Sequence, residues 1–251
     1  MRTLVTRAYL LHSRVYQESS ALLTLFTKEQ GKITCIARGI KRPKSRLRSA
    51  SKLFSEMAIE AKIPKKSDGL YPLISAELLL LESVETLPYI TQLSLHYINE
   101  LIYLLVQQAA ADHELFHSYQ HVMKNIAESN AEILIRQFEM QLLEALGYGV
   151  QLSHDSNGHD VELEAFYALV AMGAPFKILD DQMDNRDIYK MSGKVMINIV
   201  KGVQCWGDAE LKALKYLMRL NIQSALGGKV LQSRKLFREY LMIKNKNVVD
   251  S

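Results

Sequence analysis

The chain has 251 residues, 48% apolar and 23% charged, a composition that fits one large or two small globular domains and excludes a disordered or collagen-like chain. Its two cysteines, Cys35 and Cys205, cannot supply a disulfide scaffold or a four-cysteine zinc site, and they fit a reduced, cytoplasmic protein. The net charge of +4 hides a division, because residues 1–68 carry 15 Lys/Arg against 5 Asp/Glu and the rest carry 16 against 22.

The N-terminal stretch MRTLVTRAYLLHSR has no small-residue cleavage site, so no signal peptide is expected. Leu4–Leu11 is β-prone and partly alternating, and Ala21–Thr27 is a second apolar run. Lys28–Gly31 makes a turn, and Lys32–Ile40 alternates as a half-buried strand. Phe54–Ile63 and Leu70–Ala76 complete five short strands, which predict a small barrel. After Pro88 the apolar period becomes helical. The spacing predicts helices over Ile90–Ala111, Leu115–Ile126 and Ala131–Leu146, the last stopped by Gly147-Tyr148-Gly149. Glu162–Met172 reads as a helix, and 173–207 stays unassigned. Asp208 is placed to cap a helix over Ala209–Ala225, and Ser233 one over Arg234–Met242. The fold class expected is α+β: a five-stranded barrel domain (1–80) followed by an all-helical domain (81–251).

Residues 38–52 hold Arg38, Lys41, Arg42, Lys44, Arg46, Arg48 and Lys52 and no acid. Like charges this dense favour an extended, exposed loop. Either it is solvated and unpartnered, or it binds phosphates by displacing counterions from a polyanion. Tyr9, Tyr16 and Phe26 lie in the same basic region and could stack bases. Phe26 also reads as core, which leaves Tyr16, in a polar segment, as the candidate for exposure.

Catalytic motifs are sparse. His113-Glu114-Leu115-Phe116-His117 fits the zinc-peptidase pattern of two histidines one turn apart with a glutamate base. Asp112 before it reads as a helix cap, which puts His113 in a frayed first turn. His154, Asp155, His159 and Asp160 share a polar loop that could ligate a metal or be plain surface, and Asp180, Asp181 and Asp184 read as solvated loop acids. Gly227-Gly228-Lys229 lacks the rest of a phosphate-binding loop, and Gly147-x-Gly149 is no dinucleotide fingerprint.

Several segments, in order along the chain, resemble the RecO family of bacterial recombination mediators. They are His12-Ser13-Arg14-x-Tyr16-x-Glu18-Ser19-Ser20, Leu25-Phe26-Thr27, Gly31-Lys32, Ala37-Arg38-Gly39 and Tyr97-Ile98-Asn99-Glu100-Leu101. Leu115-Phe116 with Tyr119, Arg136-x-Phe138-Glu139 with Leu142 to Gly149, and Leu226-Gly227-Gly228-Lys229 through Ser233-Arg234 to Arg238 complete the set. The resemblance implies an OB-fold followed by a helical domain. It implies binding of single- and double-stranded DNA, annealing of strands coated with single-stranded-DNA-binding protein (SSB), and action with RecR to load recombinase. No catalytic residue and no cofactor are expected. Val15 and Ser51-Lys52-Leu53 depart from family prolines. The Ser153–His159 segment lacks the cysteines of a zinc site found in many relatives, so no zinc is carried over.

On this reading Arg38, Lys41, Arg42, Lys44, Arg46 and Arg48 grip phosphates, with Arg14 as a further contact. Lys229, Arg234, Lys235 and Arg238 either extend that track or form a solvated face. Arg136 resembles part of the family's pocket for the SSB tail, and spacing alone equally allows an ion pair with Glu132 or Glu139. Readings from other classes are a zinc peptidase through His113, Glu114 and His117, and a protein-binding scaffold that does not bind DNA.

Overall fold

The structure is a computed structural model; it describes residues 2–66, 69–79, 84–179 and 189–249, with side chains described to Lys244. The acids Asp180, Asp181 and Asp184 lie outside the described residues. Five strands, β1 (Thr3–Tyr16), β2 (Ser20–Thr27), β3 (Gly31–Ala37), β4 (Met57–Lys62) and β5 (Tyr71–Leu78), close into a barrel in the order β1-β2-β3-β5-β4. Only the β3–β5 pairing is parallel. This is the connectivity of a five-stranded OB-fold.

Alternation sends Leu10, Leu23, Leu25, Ile33, Cys35, Met57 and Ile59 into the barrel. Burial pushes the Cys35 thiol up to about 12, so it is not held as a reactive thiolate. β2 is buried on both faces, which is why it reads as a continuous apolar run. Its outward Phe26 is the cross-strand partner of Tyr9. Both rings are buried beneath Phe116 and Tyr119 of α2 (His113–Asn125), with Tyr9–Tyr119 centroids at 5.1 Å and Phe26–Phe116 at 5.4 Å. Each fully buried Phe contributes about 1.5–3 kcal/mol. Tyr9 and Phe26 are therefore structural and present no ring for base stacking.

A bulge at Leu11 interrupts the β1–β2 ladder. Asn99 of α1 (Tyr89–Leu105) donates its amide to the Leu11 carbonyl at 2.7 Å and accepts the Tyr119 hydroxyl at 2.8 Å. The same helix receives the chain's last one, α6 (Gln232–Val249), against which it packs. Glu100 accepts the backbone N–H groups of Gln232 (2.8 Å) and Ser233 (3.0 Å) and the Ser233 hydroxyl (2.6 Å). The expected Ser233 cap is thus replaced: Ser233 lies inside the helix, and a carboxylate 132 residues away satisfies the orphan donors. Helix α1 also ends earlier than its Gln- and Ala-rich continuation suggests. Ala109 N–H bonds the Lys32 carbonyl at 2.8 Å, so tertiary pairing overrides helix propensity.

The chain divides into two compact units, residues 1–129 with 230–251, and residues 130–229. The second holds α3 (Ala131–Ala145), α4 (Gly193–Lys201), α5 (Asp208–Ala225) and a small sheet of β6 (Phe166–Ala168), β7 (Phe176–Lys177) and β8 (Lys190–Ser192). Asn130 caps α3, and a Schellman pair ends it: Gly147 N–H to Glu144 O (2.9 Å) and Tyr148 N–H to Leu143 O (2.8 Å). The helix expected over Glu162–Met172 does not form. Tyr167 there is buried and pairs with Met191 across the sheet, and its hydroxyl accepts the Glu162 N–H at 2.9 Å. Leu163, Phe166, Tyr167 and Val170 keep a helical spacing, but pairing of the β-prone Phe166–Ala168 with β7 and β8 overrides it. Helix α4, within the unassigned stretch, is capped by Ser192. Asp208 opens α5 rather than capping it; the cap position is Gly207, whose N–H bonds Glu210 at 3.0 Å. Among the described residues no helix is long and apolar enough to cross a membrane.

Candidate nucleic-acid interface

The basic loop joins β3 to β4. It is exposed as expected, but it is not extended. Ile40, Leu47 and Ala50 are buried in the barrel core, and these anchors turn the intervening cations outward. The backbone between them folds as successive turns: Arg42 N–H to Gly39 O (3.1 Å), Ser45 N–H to Arg42 O (3.0 Å) and Arg48 N–H to Ser45 O (3.3 Å). A short 3₁₀ helix, Arg48–Ser51, follows. Three buried apolar anchors outweigh the repulsion among exposed charges, which water and ions screen.

Arg38, Lys41, Arg42, Lys44, Arg46 and Arg48 are all exposed. None of them forms an ion pair among the described residues. Their charge is therefore balanced by mobile counterions, the condition under which a polyanion binds with a gain in entropy.

The loop is tied to the β1–β2 hairpin by the Lys41 N–H, which bonds Ser19 O at 3.2 Å. Between loop and hairpin lies a cleft of about 540 Å³. Ala21, Ile40 and Pro43 form its apolar part, Lys41, Arg42 and Arg48 its cationic part, and Ser13 and Ser51 supply hydroxyls. The hairpin register assigns the faces. Ser13 pairs with Leu23 and Val15 with Ala21, and both partners belong to the barrel interior side. Ser13 and Val15 thus share the cleft face, while Arg14 and Tyr16 lie on the opposite face of β1. Val15 is 69% exposed and Tyr16 38%. The cleft residues Ser13, Ser51, Ala21 and Pro43 carry no charge signal, so the sequence does not single them out.

The remaining cations do not line this cleft. Arg234 is half-buried on α6 with its guanidinium 5.7 Å from the Tyr97 ring centre, a cation–π contact, and Arg238 and Lys235 are exposed on the same helix. Lys229 is exposed at the end of the second unit. Arg136 of α3 is buried, and its Nη1 lies 2.6 Å from Glu139 Oε2. Of the two acids in reach by spacing, Glu139 takes the pair, and it does so in the interior rather than on the surface.

His113, Glu114 and His117 of the peptidase-like segment are exposed, whereas Leu115, Phe116 and Tyr119 form the buried face. Asp112 caps this helix, accepting the Leu115 N–H at 2.8 Å. Among the described residues no three His, Cys, Asp or Glu side chains gather as metal ligands. In the polar loop of the second unit, His154 pairs with Asp160 at 3.1 Å in solvent. Asp155 is buried and accepts the N–H groups of Asn157 (2.8 Å) and His159 (3.0 Å). The His159 N–H, aided by that of Asn157, holds the Asp155 carboxyl below its ordinary range against the opposing effect of burial. A lowered folded value stabilises the fold above the unfolded value and is lost as pH falls through the folded one. Asp155→Asn is expected to melt below wild type at pH 7, with the gap closing under acid, below about pH 4. A gap independent of pH in thermal melts would contradict this.

Comparison with known proteins decides the family. The family described as Recombination protein O N terminal matches residues 1–81, and Recombination protein O C terminal matches 89–234. The chain is 37% identical over 238 residues to the DNA repair protein RecO of Francisella philomiragia, covering 95% of this chain and 97% of that protein. It is 33% identical to that of Francisella tularensis subsp. novicida over 238 residues (94% and 97%), and 31% identical to that of Pseudoalteromonas atlantica over 240 (92% of each). The chain belongs to the RecO family. Membership places it in DNA repair and recombination. Two of the RecO-like segments now have visible roles. Tyr97, Asn99 and Glu100 of one secure Arg234, the Leu11 bulge and the start of α6, so the segment at 97–101 and the one at 226–238 meet through Glu100 and Ser233.

Proposed function

We propose that this RecO-family chain binds single- and double-stranded DNA through its basic loop and anneals complementary strands coated with SSB, without catalysing a covalent step. The observation that carries this reading is the loop itself: six exposed cations on an OB barrel, turned outward by buried anchors and lacking acid partners among the described residues. Arg38, Lys41, Arg42, Lys44, Arg46 and Arg48 contact phosphates, and Arg14 adds a contact from the hairpin. Lys229, Arg234 and Arg238 supply further phosphate contacts. Neutralising both strands lowers their repulsion and lets complementary bases meet, which requires neither nucleotide hydrolysis nor a metal. Partnership with RecR for recombinase loading, in the cytoplasm at the nucleoid, completes the role.

A direct test titrates a labelled single strand at several salt concentrations. With ~5 phosphates contacted, log affinity falls against log salt with a slope near −3.5. A slope indistinguishable from zero would remove the charge-driven reading.

Arg136 is proposed to receive the carboxylate of the SSB tail. Its Nη1 serves Glu139 and its Nε is buried, so the remaining guanidinium nitrogen, Nη2, is the donor offered to the tail carboxylate. Arg136→Ala is expected to weaken tail binding at least tenfold and to leave naked-DNA affinity intact. It also removes the buried ion pair between Arg136 and Glu139 and so lowers stability. Glu139→Gln, which keeps the guanidinium, should preserve tail binding. Equal loss for both variants in peptide titrations would assign the pair a structural role only.

A further inference from the structure

We propose that the cleft between the basic loop and the β1–β2 hairpin holds one unpaired nucleotide of a bound strand, so that single-stranded DNA is bound more tightly than duplex. The inference rests on the DNA-binding reading above and adds a site to it. Exposed cations attract any phosphate backbone alike, and a track that reads phosphate alone has no use for a recess with an apolar floor. Here the buried Ala21 and Ile40 supply the floor, the exposed Pro43 adds apolar surface, and the cations Lys41, Arg42 and Arg48 line the same space. The volume, about 540 Å³, lies within the ~300–1,000 Å³ of pockets that enclose small ligands.

The chemistry of this lining matches a nucleotide in its parts. A base has an apolar face that gains by leaving water, and the nucleotide's phosphate carries the negative charge that complements the cations Lys41, Arg42 and Arg48. Ser13 and Ser51 are exposed; Ser13 can donate or accept, whereas the Ser51 hydroxyl donates to the Arg48 carbonyl at 2.6 Å and is left to accept, so the two meet the polar edge of a base without selecting a sequence. Val15, 69% exposed on the same face as Ser13, offers a further apolar surface beside the mouth. A base in a duplex is stacked and paired, and entering the cleft would cost its unstacking. An unpaired base enters without that cost. The platform is therefore the cleft face of the hairpin, and Tyr16, on the opposite face, is not part of it.

The test uses the full-length protein and an oligonucleotide carrying a single 2-aminopurine, free and as a duplex. Binding is expected to raise 2-aminopurine fluorescence in the single strand, as the base leaves its stacked neighbours, and to leave the duplex signal unchanged. Ser13→Trp and Ser51→Trp fill the cleft from two walls without changing charge. Each is expected to lower single-strand affinity about tenfold, to abolish the fluorescence rise, and to leave duplex affinity and the salt slope unaltered. Retained duplex affinity shows that a variant is folded. The wild-type fluorescence decides the matter even if both variants are unstable. Tight single-strand binding without a fluorescence change, or equal loss for strand and duplex in both variants, would overturn the cleft assignment alone. Absence of DNA binding by the wild type would overturn it together with the reading on which it rests.

Discussion

Replacing Lys41, Arg42 and Arg48 together with alanine is expected to reduce single-strand affinity about 100-fold at low salt and to make the salt slope shallower by about 2, at ~0.7 for each phosphate no longer neutralised. These three cations are chosen because they surround the cleft and are exposed. They make no ion pairs among the described residues, so their removal leaves no buried charge behind. The loop keeps its anchors Ile40, Leu47 and Ala50, and the backbone turns do not use the truncated side chains. Stability should therefore change little, within about 0.5 kcal/mol per site. Anisotropy titrations at several salt concentrations, paired with thermal melts, separate the two effects. An unchanged slope would show that the loop does not touch phosphate.

Gly31→Val is expected to destabilise the first unit by about 3–5 kcal/mol, combining left-handed backbone strain with overpacking. Gly31 turns β2 into β3 at φ +61°, a conformation that β-branched residues avoid. A Cβ there would lie 2.0 Å from the Ala110 carbonyl oxygen, on backbone that is itself fixed to Lys32 by the Ala109 hydrogen bond. No flexible side chain can yield to it. Gly158 makes the control. Its φ is +82°, but nothing lies within 4 Å of a Cβ, so Gly158→Ala should cost only the conformational term, about 1–2 kcal/mol. Urea unfolding of the two variants measures the difference, and equal losses would mean that the backbone at Ala110 yields.

The five strands and most helices were legible because their apolar residues keep a period of two or of 3.6. What could not be read depended on partners distant in sequence. Tyr9 and Phe26 read as candidates for base stacking, Phe26 also as core, because no local pattern announces that Phe116 and Tyr119 cover that face of β1 and β2. The polar half of β1, His12–Tyr16, has no apolar alternation and is held as a strand by pairing with β2. The loop's charge was plain, but its shape was set by Ile40, Leu47 and Ala50, spaced among cations without a period. Ser13 and Ser51, which meet at the cleft from two separate segments, carry no chemical signal in the sequence. Arg136 stood out by motif, and its burial with Glu139 followed from the packing of α3, whose buried set includes both charges.

The most direct test of the central claim is the annealing rate of two complementary oligonucleotides coated with SSB, measured in EDTA and without nucleotide, at low and high salt. Charge-driven mediation predicts faster annealing with the protein than without it, fading as salt rises, and abolished in the Lys41, Arg42 and Arg48 triple variant. No acceleration, or acceleration that is indifferent to salt and to those three residues, would contradict it.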